Sequence, residues 1–381
     1  MRTLIKNCNL VSPGFELKNG GLLIQDEMIH SIITPEDATP AADIVIDAEG
    51  MTVIPGMIDI HCHGRNNYDL CDATEDAVNT IGLHKLSEGV TTMLPTTLTV
   101  SVERLEDTLA TIAKYNKKGV KMPFVHLEGP FVNPSEIGAQ NPTYIKLPDI
   151  SIVKRLHEIF PIRKVSFAPE LPGADSFVTE LLNMGIFPSA AHSAAKYAEF
   201  KKCYSKGLRN LTHYCNQMSH LHHRDIGLVG AGLLHDNVYA ELICDKIHIS
   251  PDMIALAYKV KGPRHIILVT DTMRAAGISD GEYDLGGLRV VVADGAARLK
   301  ESGALAGSTL QLNVALANIV EITKLPLSEA IISSSLSAAC SLALPERIGR
   351  IQPGFIADIA IIDDKFKVHK TFVNGELRFE A

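Results

Sequence analysis

Residues 53–64 read VIPGMIDIHCHG. An apolar run of strand length ends on His61-Cys62-His63 and is closed by a glycine. Side chains alternate along a strand, so His61 and His63 point to one side and Cys62 to the other. Seven later runs have the same build: VTTMLPTTL (90–98), PFVHLEG (123–129), KVSFAPEL (164–171), GIFPSAAH (185–192), LRNLTHYC (208–215), VYAELICD (238–245) and HIILVTD (265–271). Stretches of helical period lie between them, among them 73–89, 102–119, 149–160, 195–207 and 250–262. In the last of these, Ser250 reads as an N-cap and Pro251 as the first helical residue. Strands that alternate with helices form parallel βαβ units. An open doubly wound sheet would show the same alternation, but eight units over residues 51–350 fit an α/β fold of the (β/α)8 TIM-barrel type better.

The two ends of the chain differ from this middle. Residues 1–50 and 351–381 read as short alternating strands, with Asn374-Gly375 as a hairpin turn. Chain termini often lie close together, so both ends are expected to build one small β-sandwich domain beside a barrel of residues 51–350. The 381 residues carry 36 Lys+Arg against 44 Asp+Glu, a net charge of −8. Such a chain has no general attraction to phosphate backbones, which argues against nucleic acid as a partner. No stretch reaches the roughly 18 apolar residues of a membrane span. The start lacks an apolar leader segment, and seven scattered cysteines form no CxxC pair. The expectation is a cytoplasmic globular protein with no membrane partner.

Catalytic groups of such barrels sit at the C-terminal ends of the strands. Six of the eight runs end in histidine or a carboxylate: His61 and His63, Glu128 (after His126), His192, His213, Asp245 (with His248 just beyond) and Asp271. Any one of these histidines alone would read as a hydrogen-bonded core residue. Imidazoles and a carboxylate converging on one rim suit a divalent ion such as zinc or iron(II). Asp271 can be read as a ligand, a general base or the N-cap of a helix over the following TMRAAG. His30, His84, His157 and His369 read as surface residues, and His220, His222 and His223 as a polar loop beside Arg224.

These rim residues sit in longer motifs. PGMIDIHCHG (55–64) and GRIQPGFIADIAIID (349–363) resemble the first-strand and C-terminal signatures of the amidohydrolase superfamily. HLEGPFVNP, AAHSAA, THYCNQMSHLHHRDIGLVGA, LVTDTM and LAGST resemble, in order and spacing, its N-acetylglucosamine-6-phosphate deacetylase branch. The resemblance implies Glu128, His192 and His213 as the main metal ligands, with His61 and His63 as a pair that permits a second ion. One or two divalent ions per subunit are expected, zinc first and iron as the alternative. It implies Asp271 as the catalytic aspartate and Ala139, Gln140, Asn216 and Gln217 as substrate positions. Arg224 would hold a sugar phosphate; Asp245, Lys246, Ile247 and His248, and then Leu305, Ala306 and Gly307, would add contacts. A homodimer is implied as well. The implied reaction is hydrolysis of the acetamide of a hexosamine 6-phosphate.

Three departures from the branch fall on substrate positions. Gln140 stands in GAQNP where the branch has histidine, Lys246 replaces a common glycine, and HYCNQM carries Cys215 and Gln217. A glutamine still donates hydrogen bonds but cannot become cationic. The metal chemistry is therefore expected to be kept, and the sugar to be of gluco or galacto configuration. Two rival readings are an amidohydrolase for another N-acyl or cyclic amide and a barrel scaffold without catalysis.

Overall fold

The computed structural model describes residues 1–344 and 347–381. Eight parallel strands lie at its centre: β1 (Met57–Cys62), β2 (Val90–Pro95), β3 (Val125–Glu128), β4 (Ile162–Phe167), β5 (Phe187–Ala190), β6 (Asn210–Leu211), β7 (Tyr239–Leu242) and β8 (Ile266–Leu268). β1 pairs with β2, and β3 to β8 pair in sequence order. Parallel bridges from Thr96 to His126 and from Cys62 to Thr272 join these two groups into a closed ring. Closure by these two bridges excludes the open sheet. Each strand is followed by a helix, from Glu75–His84 after β1 to Leu312–Thr323 after β8. Thr74, Ser101, Asp149 and Ser250 cap four of these helices by accepting backbone N–H bonds. In Val102–Ile112, Val102, Leu105, Leu109 and Ile112 recur at helical spacing and are buried against the barrel.

Both chain ends pair into one eight-stranded sheet. Its path runs Glu376–Glu380, Val368–Val373, Ile359–Ile362, Thr52–Pro55, Arg2–Ser12, Phe15–Gln25 and Met28–Ile33, with Ile44–Asp47 also on Arg2–Ser12. Thr52–Pro55 joins this sheet antiparallel to Ile359–Ile362 just before the chain enters β1. Asn374 and Gly375 make the hairpin turn with φ of 52° and 74°, the pair of positive values a two-residue turn needs. Ile5, Leu10, Leu22, Ile24 and Phe372 form a core separate from that of the barrel.

Further elements lie outside the sequence-based expectation. A three-stranded antiparallel arm (Gly281–Leu285, Leu288–Ala293, Ala296–Leu299) is inserted after β8, and helices Leu327–Ser334 and Leu336–Ser341 follow the last barrel helix. Two histidines expected at the surface are half-buried and bonded: His157 accepts the Ile162 N–H, and His369 faces Asp363. His30 and His84 are exposed.

The barrel interior is rich in polar side chains. Lys85 is fully buried, with Nζ 2.8 Å from Asp59 and 2.7 Å from Glu88. Glu88 also pairs with Arg65 and accepts the Leu312 N–H, while Thr270 donates to Asp59. Burial disfavours the charged ammonium, but Asp59 and Glu88 outweigh it and hold the Lys85 pKa above its ordinary value. This network locks β1, β8 and the last barrel helix together beneath the rim. Lys85→Met leaves two buried carboxylates short of a cation. It is expected to destabilise the protein by about 3–5 kcal/mol, read as a fall in the urea midpoint.

Candidate active site

The rim brings four imidazoles and two carboxylates to one point. His61 Nε2 and His63 Nε2 are 3.2 Å apart, as their same-side placement on β1 requires. Cys62 turns the other way, to Thr272. His192 Nε2 and His213 Nε2 are 3.1 Å apart. Glu128, at the end of β3, lies between the pairs. Its Oε1 is 3.1 Å from His213 and 3.5 Å from His192, and its Oε2 is 3.3 Å from His63. Asp271 Oδ1 sits 3.2 Å from His63 Nε2 and 3.5 Å from His61 Nε2. A turn rather than a helix follows Asp271, so the N-cap reading is discarded. His192, His213 and Asp271 all have positive φ (45°, 34° and 51°). Strain of about 1–3 kcal/mol per such residue is held where the strands end and the side chains must turn inward.

The donor chemistry fits divalent ions. Every one of the four imidazoles has an acceptor at Nδ1: Glu241 for His61 (3.2 Å), the Thr96 carbonyl for His63 (3.2 Å), the Glu136 carbonyl for His192 (2.9 Å) and the Asn216 carbonyl for His213 (3.1 Å). A proton fixed on Nδ1 leaves the Nε2 lone pair free to ligate, and all four Nε2 atoms point inward. Two groups, His61–His63–Glu128 and Glu128–His192–His213, each keep their ligand atoms within 4.8 Å of one another. Donors about 2.0–2.1 Å from a zinc ion at tetrahedral angles lie roughly 3.3 Å apart, close to these separations. Glu128 Oε1 is buried without a hydrogen-bond partner, as an oxygen reserved for a cation would be.

Electrostatics keep both carboxylates ionised. Burial would raise the pKa of Glu128, but His61, His192 and His213 hold it well below the ordinary value. Burial acts the same way on Asp271, and His61 and His63 bring it down to about 2. His213 is pushed down by burial and so stays neutral, the form that ligates.

A cleft of about 510 Å³, counting its open mouth, leads to this point. Of the expected substrate positions, Ala139, Gln140, Asn216, Gln217, His248, Leu305 and Gly307 line it. Asp245 shapes its turn from behind: Oδ1 accepts the N–H groups of Ile247 and His248, and Oδ2 holds His248 Nδ1 at 2.6 Å. With Asp245, four other expected residues lie off the cleft wall. Ala306 is buried, Ile247 is exposed, and Lys246 pairs with Glu321 at 2.8 Å. Arg224 is exposed, with its guanidinium 2.8 Å from His223. Leu98 and Leu285 complete the apolar wall and were not among the expected residues.

Sequence reasoning also missed the supports beneath the ligands. Glu241, buried on β7, bonds His61 and pairs with the buried Lys164 of β4. His126 shares a face with Glu128 but is tied to the Ile60 carbonyl (3.1 Å) and Ser166 (2.7 Å), so it is a core residue. A charge inside an apolar run, such as Glu241 in VYAELICD, was the available signal.

A closed (β/α)8 barrel whose strand ends converge imidazoles and carboxylates defines the class as a metal-dependent hydrolase. Residues 52–378 match the amidohydrolase family. The chain belongs to that family and, by its relatives, to the N-acetylglucosamine-6-phosphate deacetylase branch within it. It is 36% identical over 341 residues to the N-acetylglucosamine-6-phosphate deacetylase of Lysinibacillus sphaericus, covering 88% of each chain. It is 33% identical to the N-acetylgalactosamine-6-phosphate deacetylase of Escherichia coli O157:H7, covering 93% of this chain and 94% of that one. The crystal structure of the Thermotoga maritima N-acetylglucosamine-6-phosphate deacetylase superposes with a TM-score of 0.88 at 34% identity, covering 99% and 100% of the two chains. An aspartate-to-alanine variant of the Mycobacterium smegmatis deacetylase, in complex with N-acetyl-D-glucosamine-6-phosphate, gives 0.91 at 27% identity over 99% of both chains.

Proposed function

We propose that the protein hydrolyses N-acetylglucosamine 6-phosphate to glucosamine 6-phosphate and acetate. The observation that carries this is an ionised Asp271 set beside two ligand groups that share Glu128. The proposed ligands are Glu128, His192 and His213 for one ion and His61, His63 and Glu128 for a second, with zinc as the ion and iron(II) as the alternative. A bound divalent ion lowers the pKa of water from about 15.7 towards 7 and polarises an amide carbonyl. Asp271 takes the proton of the attacking water and returns it to the leaving nitrogen as the C–N bond breaks. His248, held at Nδ1 by Asp245, presents Nε2 to the sugar. Asn216, Gln217, Ala139, Leu305 and Gly307 shape the cleft around the sugar.

Arg224 is the proposed phosphate partner. Its place on an exposed loop, off the cleft wall of its own subunit, supports a contact made across a homodimer. Hydrogen bonds to charged groups are worth roughly 1.5–3 kcal/mol. Arg224→Ala is therefore expected to raise KM for the phosphorylated sugar by about ten- to a hundredfold with kcat little changed. An unchanged KM would favour a substrate without phosphate.

The 33% identical galactosamine-type relative supports a second substrate, N-acetylgalactosamine 6-phosphate. Acetate release from both sugars by metal-loaded protein separates them, and no release from either would refute the proposal. No described helix is long and apolar enough to cross a membrane. The reading is completed by a cytoplasmic setting and a terminal sheet, the 1–50 and 351–381 segments with Thr52–Pro55 added, that closes as a small sandwich beside the barrel.

A further inference from the structure

We infer that Gln140 is a positioning residue that fixes the orientation of the Glu128 carboxylate between the two ligand groups. The buried Gln140 amide is committed at both ends. The Thr99 backbone N–H donates to Gln140 Oε1 at 2.7 Å, and Gln140 Nε2 donates to Glu128 Oε2 at 2.7 Å. Only the amide oxygen can accept from Thr99, so the NH2 end must face Glu128. The two oxygens of Glu128 are thereby made unequal. Oε1 keeps all its lone pairs and lies against His213, His61 and His192. Oε2 gives one lone pair to Gln140 and turns the other toward His63. Gln140 is the only hydrogen-bond partner of Glu128 other than histidine among the described residues. Without it, nothing but the histidines resists rotation of the carboxylate. A side chain at a substrate-lining position thus acts through a ligand, and it does so as a neutral donor.

This rests on the metal reading above and is tested without substrate. Metal-free wild type and Gln140→Met are titrated with zinc in competition with a chromophoric chelator. Loss of a partner that orients a ligating group typically weakens metal binding by about 10–100-fold. That loss is expected for Gln140→Met, with the far-ultraviolet circular dichroism of the metal-free protein retained. Gln140→Leu, which also lacks the donor, gives the same test should the methionine variant not fold. Zinc affinity equal to wild type, with kcat or KM altered, would overturn the inference and leave Gln140 as a substrate contact alone. A wild type that binds no zinc would instead overturn the metal reading, and this inference with it.

Discussion

Asp271→Asn is expected to lower kcat by about 10²–10⁴, the usual range for removing a general acid–base group. Asparagine keeps the size and the hydrogen-bonding reach of aspartate but accepts no proton. In the native site the carboxylate is 3.2 Å from His63 and 3.5 Å from His61, and its pKa of about 2 leaves it unprotonated at neutral pH. It can therefore take a proton from water and later release it to an amine. KM should change little, because the sugar contacts lie on other loops. Ion binding by the proposed group Glu128, His192 and His213 should be retained, since Asp271 is not in it. Steady-state kinetics with metal analysis on the same sample checks both points. A kcat within tenfold of wild type would remove Asp271 from the proton path.

Glu128→Gln is expected to be the more damaging change to ion binding. Glu128 is the one residue common to both ligand groups. An amide supplies no negative charge, and its NH2 end would meet imidazoles already aimed at a cation. Metal affinity should fall by more than the roughly 10–100-fold typical of losing an orienting partner. A thermal readout makes this visible without activity. A ligand at 100 times its Kd stabilises by about 2.7 kcal/mol, so zinc should raise the Tm of wild type. The same zinc concentration should leave the Tm of Glu128→Gln unmoved. A full zinc-dependent rise in the variant would show that the ion sits elsewhere.

The barrel and its rim were legible because two periodicities coincide. Apolar runs marked the eight strands, and the residue ending each run is where a barrel places its chemistry. His61 and His63 could be put on one side from spacing alone, and they meet at 3.2 Å. Glu241 and Lys164 were not found. Each lies within or at the edge of a strand, where charge is tolerated only when paired, and the partner comes from a strand remote in sequence. Asp59 on β1 is hidden in the same way, while its partner Lys85 sits with Glu88 in a short helical turn after the first barrel helix, where charged residues are ordinary. The arm at 281–299 carries readable turns, Gly286-Gly287 and Asp294-Gly295, between alternating runs. It lies outside the strand–helix alternation that marks the barrel, so that alternation gives it no place. The pairing of Ile359–Ile362 with Thr52–Pro55 spans most of the chain, and no local pattern encodes such a register. The role of Gln140 is a matter of tertiary contact, since its amide is spent on Thr99 and Glu128, 41 and 12 residues away in sequence.

The most direct test of the central claim is acetate release from N-acetylglucosamine 6-phosphate, with metal content measured on the same sample before and after chelation. The account predicts one or two divalent ions per chain, acetate release by the loaded protein, loss of release on chelation and its return when zinc or iron(II) is restored. Acetate released at an undiminished rate by metal-free protein, or none released by fully loaded protein, would contradict it.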